Sequence, residues 1–310
     1  MLAGDLGREL KGKVQLVFSS PPFPLNRKKK YGNLEGAAFK AWLESYAQVL
    51  RDLLTPDGSI VLEMGNAWEP RMPVMSTLAM ETLLAFKTAA NLYLCQEFIW
   101  FNNAKLPTPA QWVTVKRYRV KDAFTRLWWM SPTAYPKADT RRVLAPYSGS
   151  MRALLRAGKY NSGKRPSEHV IGAKSFLVDH GGAIPPNVLT MKSEKELLGN
   201  TLNNVLVGSN TKNGDPYQRY CKLTGQIPHP ARMPVGLANF FINLCTDKGD
   251  LVFDPFAGSN TTGASSEQLG RRWLTVEANP TYAAAGIGRF TDLWDEEELK
   301  RAQQEVASDG

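Results

Sequence analysis

The chain has 310 residues, 43% of them hydrophobic, and a formal net charge of +9. This length and apolar content can build one large α/β domain with an inserted module. No apolar run approaches the length of a membrane span, and Met1-Leu2-Ala3-Gly4-Asp5 lacks the basic-then-apolar order of a secretory leader, so a soluble cytoplasmic protein is expected. Cys95, Cys221 and Cys245 are odd in number and, like His169, His180 and His229, are dispersed. They read as reduced packing cysteines, with no metal site.

In chain order, Val14-Gln15-Leu16-Val17-Phe18 reads as a strand, followed at once by Ser20-Pro21-Pro22-Phe23. Two prolines lock φ and remove two N–H donors, so this loop presents carbonyl acceptors in a fixed geometry beside an aromatic ring. Such a loop suits a planar group with two N–H donors, which describes the exocyclic amine of a nucleobase. The basic run Arg27, Lys28, Lys29 and Lys30 follows. It reads equally as a solvated run or as a phosphate clamp on a mobile loop.

Apolar residues at helical spacing place a helix over 39–54, stopped by Pro56-Asp57-Gly58. Gly58 to Gly65 reads as a buried strand, Thr77 to Leu92 as a helix and Glu97 to Phe101 as a strand, the alternation of a doubly wound sheet. Asn66 and Trp68 fall just after the first of these strands, where they can line a pocket. From 131 to 225 the pattern is irregular and rich in Pro, Gly, Ser and basic residues. At about 226 the α/β alternation resumes with a helix over Val235 to Leu244. The division expected is 1–130 and 226–310 as two halves of one domain, with 131–225 inserted between them.

The last α/β half carries the second motif. Leu251-Val252-Phe253 leads into Asp254-Pro255-Phe256-Ala257-Gly258-Ser259-Asn260-Thr261-Thr262-Gly263. A strand, a tight glycine turn and a helix bring backbone close to a nucleotide-like ligand at the carboxyl edge of a sheet. Arg272 to Glu277 reads as the next strand, and Glu277 stands at about the spacing from Asp254 at which such folds set a carboxylate on ribose hydroxyls. Asp295-Glu296-Glu297-Glu298 reads as a solvated helix face.

Charge is uneven: residues 1–99 carry a net +1, residues 100–225 a net +13 and residues 226–310 a net −5. A basic middle segment fits a surface that lies along phosphates. Locally, Lys116-Arg117-Tyr118-Arg119 and Arg126-Leu127-Trp128-Trp129 read as a solvated surface hairpin with Trp128 and Trp129 in the core. For the segment as a whole, DNA contact is the better reading.

Ser-Pro-Pro-Phe followed late in the chain by Asp-Pro-Phe-Ala-Gly-Ser-Asn-Thr-Thr-Gly resembles the S-adenosylmethionine-dependent DNA amino-methyltransferases of bacterial restriction-modification systems, in the permuted beta class. Gly4-Asp5, Tyr135 to Asp139, Val143 to Ser148 and His229-Pro230-Ala231-Arg232-Met233-Pro234 extend the resemblance over nearly the whole chain. It implies a permuted, Rossmann-like methyltransferase sheet with an inserted target-recognition region. It implies S-adenosyl-L-methionine as cofactor, held by Asp254, Phe256, Ala257, Gly258, Ser259, Asn260 and Thr261, with Phe256, Gly258 and Thr261 on the methionine part and Glu277 on the ribose. Ser20, Pro21, Pro22 and Phe23 would be catalytic. Arg27 to Lys30, with Arg141 and Arg142, would touch double-stranded DNA. Asn260 stands where the family more often has glycine, a position asparagine tolerates at left-handed φ.

The serine loop resembles the cytosine-N4 group, with adenine-N6 as the alternative. The lack of a cysteine after proline argues against carbon-5 methylation. A protein or RNA N-methyltransferase and a catalytically silent DNA-binding module are the readings from other classes. A cognate restriction endonuclease and a homodimer are compatible with the resemblance.

Overall fold

The structure is a computed structural model and describes residues 4–23, 34–172, 174–190 and 215–308. Short helix α1 (Asp5–Leu10) precedes β1 (Val14–Ser19), α2 (Gly36–Leu53), β2 (Leu54–Gly65), α3 (Leu78–Ala89), β3 (Tyr93–Phe101) and β4 (Phe124–Ser131). Helix α4 (Gly149–Ala157), the small pair β5 (Gly163–Lys164) and β6 (Val170–Ile171), and β7 (Val188–Thr190) follow. The chain continues through α5 (Pro216–Thr224), α6 (Val235–Cys245), β8 (Leu251–Asp254), α7 (Thr261–Gln268), β9 (Arg272–Thr275), α8 (Pro280–Gly286) and α9 (Glu296–Ser308).

Seven strands form one sheet in the order β7-β3-β4-β2-β1-β8-β9. β1 is central and parallel to both β2 and β8, while β4 runs antiparallel to β2 and to β3. Alternation across the sheet explains the continuous apolar runs, since both faces are covered. Val17, Ile60, Leu62, Trp128 and Met130 pack beneath α2 and α3. Leu16, Phe18, Val61 and Leu127 pack on the opposite face under α6. Helix α2 buries Phe39, Leu43, Ala47, Leu50 and Leu53, a single stripe at helical spacing.

The doubly wound sheet is as expected, with shifted boundaries. β2 starts at Leu54, because a register irregularity opposite Val14 and Leu16 takes up Pro56-Asp57-Gly58 at the strand's start. β3 starts at Tyr93, four residues ahead of the apolar run, drawn into the sheet by pairing with β4. β9 stops at Thr275 because Glu277 turns to accept backbone hydrogen bonds from Gly258 and Asn279. Within 131–225, Val188 pairs with Ile99, so this segment supplies the edge strand β7 to the main sheet. The surface-hairpin reading is corrected for 126–129, which lie on β4 inside the sheet: Trp128 is core, while Trp129 is half-buried and donates Nε1–H to Ser59 Oγ at 2.8 Å. Glu296 to Glu298 are exposed at the start of α9, capped by Asp295. Among the described residues no helix is long and apolar enough to cross a membrane.

Candidate active site

The carboxyl ends of β1, β2 and β8 converge on one cavity of about 1050 Å³, the size of small-molecule sites in general. The Ser20-Pro21-Pro22-Phe23 loop leaves β1 at its wall, and the Asp254 to Thr262 turn leaves β8 opposite, so neighbouring parallel strands bring together residues far apart in sequence. Phe23 packs over the end of β2, where Gly65 leaves it room: a Cβ there would lie 2.6 Å from Phe23 Cδ2.

The Asp254 carboxylate ties the two loops. It accepts from Ser19 Oγ (2.5 Å), from Thr262 Oγ1 (2.7 Å) and from the backbone N–H of Phe256 (3.0 Å), and it is only 2% exposed. Burial pushes its carboxyl up to about 6, against the opposing effect of these hydrogen bonds. Its oxygens are engaged within the protein, so its part is to set the shape of the turn.

Gly258 and Asn260 both adopt left-handed backbone, at φ 55° and 58°, and asparagine keeps the turn as its tolerance of that region allows. Past the turn α7 begins, with Thr261 and Thr262 buried. Ala257 N–H donates to the Val276 carbonyl, and Ser259 is held by Arg289, which reaches its carbonyl at 3.2 Å and its hydroxyl at 3.1 Å. Arg289 in turn lies over the Tyr217 ring and 3.7 Å from Asp215, both at the start of α5. Phe256 sits against Trp42 and Tyr46 of α2, with ring centroids 5.4 and 5.6 Å apart. Glu277 accepts from Gly258 N (2.8 Å) through one oxygen and from Asn279 N (2.9 Å) through the other. Each oxygen keeps a lone pair for hydroxyl donors.

The residue that sequence reading missed is Glu63. It sits on β2, 4% exposed, inside the cavity. The Ser20 hydroxyl lies near its carboxylate and favours its ionised form, Thr125 Oγ1 donates to it at 3.1 Å, and burial, the larger effect, raises its pKa above the ordinary carboxylate range. The signal was present as a lone acid in the apolar run Ile60-Val61-Leu62-Glu63-Met64. Trp42 and Tyr46 were legible only as a helix's apolar face.

Several expected residues lie elsewhere. Arg27, Lys28, Lys29 and Lys30 fall outside the described residues. Asn66 donates to Asp122 at 3.0 Å and, like Trp68, does not line the cavity. Arg141 and Arg142 sit at the opposite, amino edge of the sheet, beside the residues that lead into β8. Arg141 forks onto Asp139 (2.8 and 2.9 Å), and Arg142 bonds the Thr246 carbonyl (2.7 Å) and the Asp247 carboxylate. Their charge is met inside the protein, at the sheet edge away from the reactive loops.

A mixed, mainly parallel sheet with a Pro-Pro loop and a glycine turn facing each other across a pocket, and a carboxylate just past the next strand, defines a Rossmann-like methyltransferase. Residues 14–287 match the family described as DNA methylase, and the chain belongs to that family. It is 42% identical over 281 residues to the Type II methyltransferase M.PvuII of Proteus hauseri, covering 90% of this chain and 78% of that protein. The solved structure of PvuII DNA methyltransferase (cytosine-N4-specific) shares the fold with a TM-score of 0.70 at 34% identity, over 98% of this chain and 91% of that one. The M1.HpyAVI–SAM complex shares the fold at TM-score 0.50 and 16% identity over 94% of each chain.

Proposed function

We propose that the protein is a site-specific DNA methyltransferase that moves a methyl group from S-adenosyl-L-methionine to the N4 amine of a cytosine flipped out of duplex DNA. The observation that carries the reading is the Ser20–Glu63 pair set across one cavity from the Asp254 to Thr261 turn. The cavity fits the cofactor: left-handed Gly258 admits close approach, Phe256 offers an aromatic wall, and Glu277 keeps acceptor capacity for a ribose diol. When bound, the cofactor supplies an electrophilic methyl group on a sulfonium.

The chain's own residues do the rest. A cytosine amine is a weak nucleophile because its lone pair is delocalised into the ring. In this reading one amine hydrogen is accepted by Ser20 Oγ and the other by the Pro21 carbonyl, which favours a tetrahedral nitrogen with its lone pair free. Ser20 passes its own hydroxyl proton toward Glu63, so the proton the amine must lose has a buried carboxylate as acceptor. Phe23 would stack on the extrahelical base. No covalent enzyme intermediate is needed, and catalysis rests on positioning and electrostatics.

Cytosine is favoured over adenine by the serine in the loop and by the likeness to a relative described as cytosine-N4-specific. A DNA substrate and a restriction-modification setting go with a cytoplasmic enzyme and a cognate endonuclease, acting as monomer or homodimer. Nucleoside digests of duplex DNA incubated with protein and labelled cofactor test the reading. The expected product is N4-methylcytosine in wild type and at least about a hundredfold less with Ser20→Ala. N6-methyladenine would overturn the choice of base, and label found only in protein or RNA would overturn DNA as substrate.

A further inference from the structure

The connection from β3 to β4, residues 102–123, leaves and re-enters the sheet at the reactive edge, since Phe101 pairs with Phe124 and Thr125 pairs with Gly65 at the end of β2. Both stems open into the cavity, through Trp100, Asn102 and Lys105 on one side and Thr125 on the other. The loop is anchored. Lys105 Nζ reaches the Phe124 carbonyl at 2.8 Å and lies 3.6 Å from Asp122, which also accepts from Asn66. Farther out, Trp112 stacks on Tyr118 at 6.5 Å, and its carbonyl accepts from the N–H of Tyr118 at 2.8 Å.

On this scaffold Lys116, Arg117 and Arg119 are exposed and form no ion pair among the described residues. The only acid in the loop, Asp122, is already engaged by Lys105. Val115 and Val120 flank them in the chain, 71% and 87% exposed, and Leu106, earlier in the loop, is 75% exposed. An opened duplex offers phosphates to these cations and unstacked base faces to the flanking aliphatic side chains.

We propose that the 102–123 loop is a DNA-gripping arm, in which Lys116, Arg117 and Arg119 hold phosphates flanking the base that enters the cavity. The inference rests on the DNA methyltransferase reading and places a phosphate contact at the edge of the sheet that carries the reactive loops. Each cation that neutralises a phosphate releases counterions and adds about 0.9 to the slope of log binding constant against log salt.

The test compares wild type with Lys116→Ala/Arg117→Ala/Arg119→Ala and with the charge-keeping Arg117→Lys/Arg119→Lys, measuring duplex binding from low to moderate salt and cofactor affinity by calorimetry. The alanine variant is expected to lose about two to three units of slope and to raise the KM for DNA with unchanged cofactor affinity. The lysine variant should keep the slope. Wild type that binds duplex DNA with a steep slope, and an alanine variant with the same slope, would overturn the arm alone. Wild type with no salt-dependent duplex binding would overturn the arm together with the reading beneath it.

Discussion

Two buried carboxyls, Glu63 and Asp254, do different work in one cavity. Glu63 faces the reacting loop through the Ser20 hydroxyl, and a base that accepts a proton must be ionised to act. Activity is therefore present above its pKa and lost as pH falls through it. Because burial raises that pKa, the acid limb of kcat/KM should lie above the usual carboxylate range of about 4. Glu63→Gln should lower kcat by at least about a hundredfold, abolish that limb and leave cofactor affinity intact. A limb that persists in the variant would remove Glu63 from proton transfer. Asp254 instead joins loops. Its carboxyl, raised to about 6, contributes stability that is complete below an unfolded value of about 4 and is lost as pH rises through about 6. The stability of wild type relative to Asp254→Asn should then fall by up to about 3 kcal/mol between pH 4 and pH 7 in denaturant titrations. A pH-independent difference would contradict the raised carboxyl.

Among the elements, strand ends decide the site. The last residue of β2 must be glycine because Phe23 of the neighbouring loop lies on it, a contact between the ends of two parallel strands. Gly65→Ala should displace the Phe23 ring, weakening capture of an extrahelical base by about 1–3 kcal/mol, read with a fluorescent base analogue at the target position. Cofactor affinity should hold, since the far wall of the cavity is built on β8 and α7. Normal base capture in the alanine variant would mean that Phe23 does not stack on the target. The same logic of ends explains Glu277: β9 stops early so that the carboxylate can close the glycine turn through Gly258 N and Asn279 N.

At the scale of the molecule, net charge is a poor guide to where DNA lies. The middle segment is strongly basic, yet its arginines divide between two sheet edges. Asp139 holds Arg141, whose hydrogen bonds pull the Asp139 carboxyl down to about 2, and Arg142 is held by Asp247 and the Thr246 carbonyl. Arg141→Ala/Arg142→Ala should leave the salt slope of duplex binding unchanged and lower the melting temperature instead. A flattened slope would bring DNA to that edge after all.

The chemistry-bearing loops were legible in one dimension because each is a local device. Two prolines after a strand, a glycine turn before a helix and an acid at the end of the next strand carry their geometry in their own backbone, and a left-handed Asn260 follows from the tolerance of one side chain. The doubly wound sheet was legible for the same reason, as apolar runs alternating with helical stripes. What only the tertiary structure decided was which charges meet. Glu63 gains its place because β1 and β2 run side by side and Thr125 arrives on β4. Arg141 and Arg142 are carried to the amino edge of the sheet, where they pair with Asp139 and Asp247. Burial, pairing and the resulting pKa depend on neighbours remote in sequence, so the same residue types read as clamp, base or structural ion pair until the sheet sets their positions.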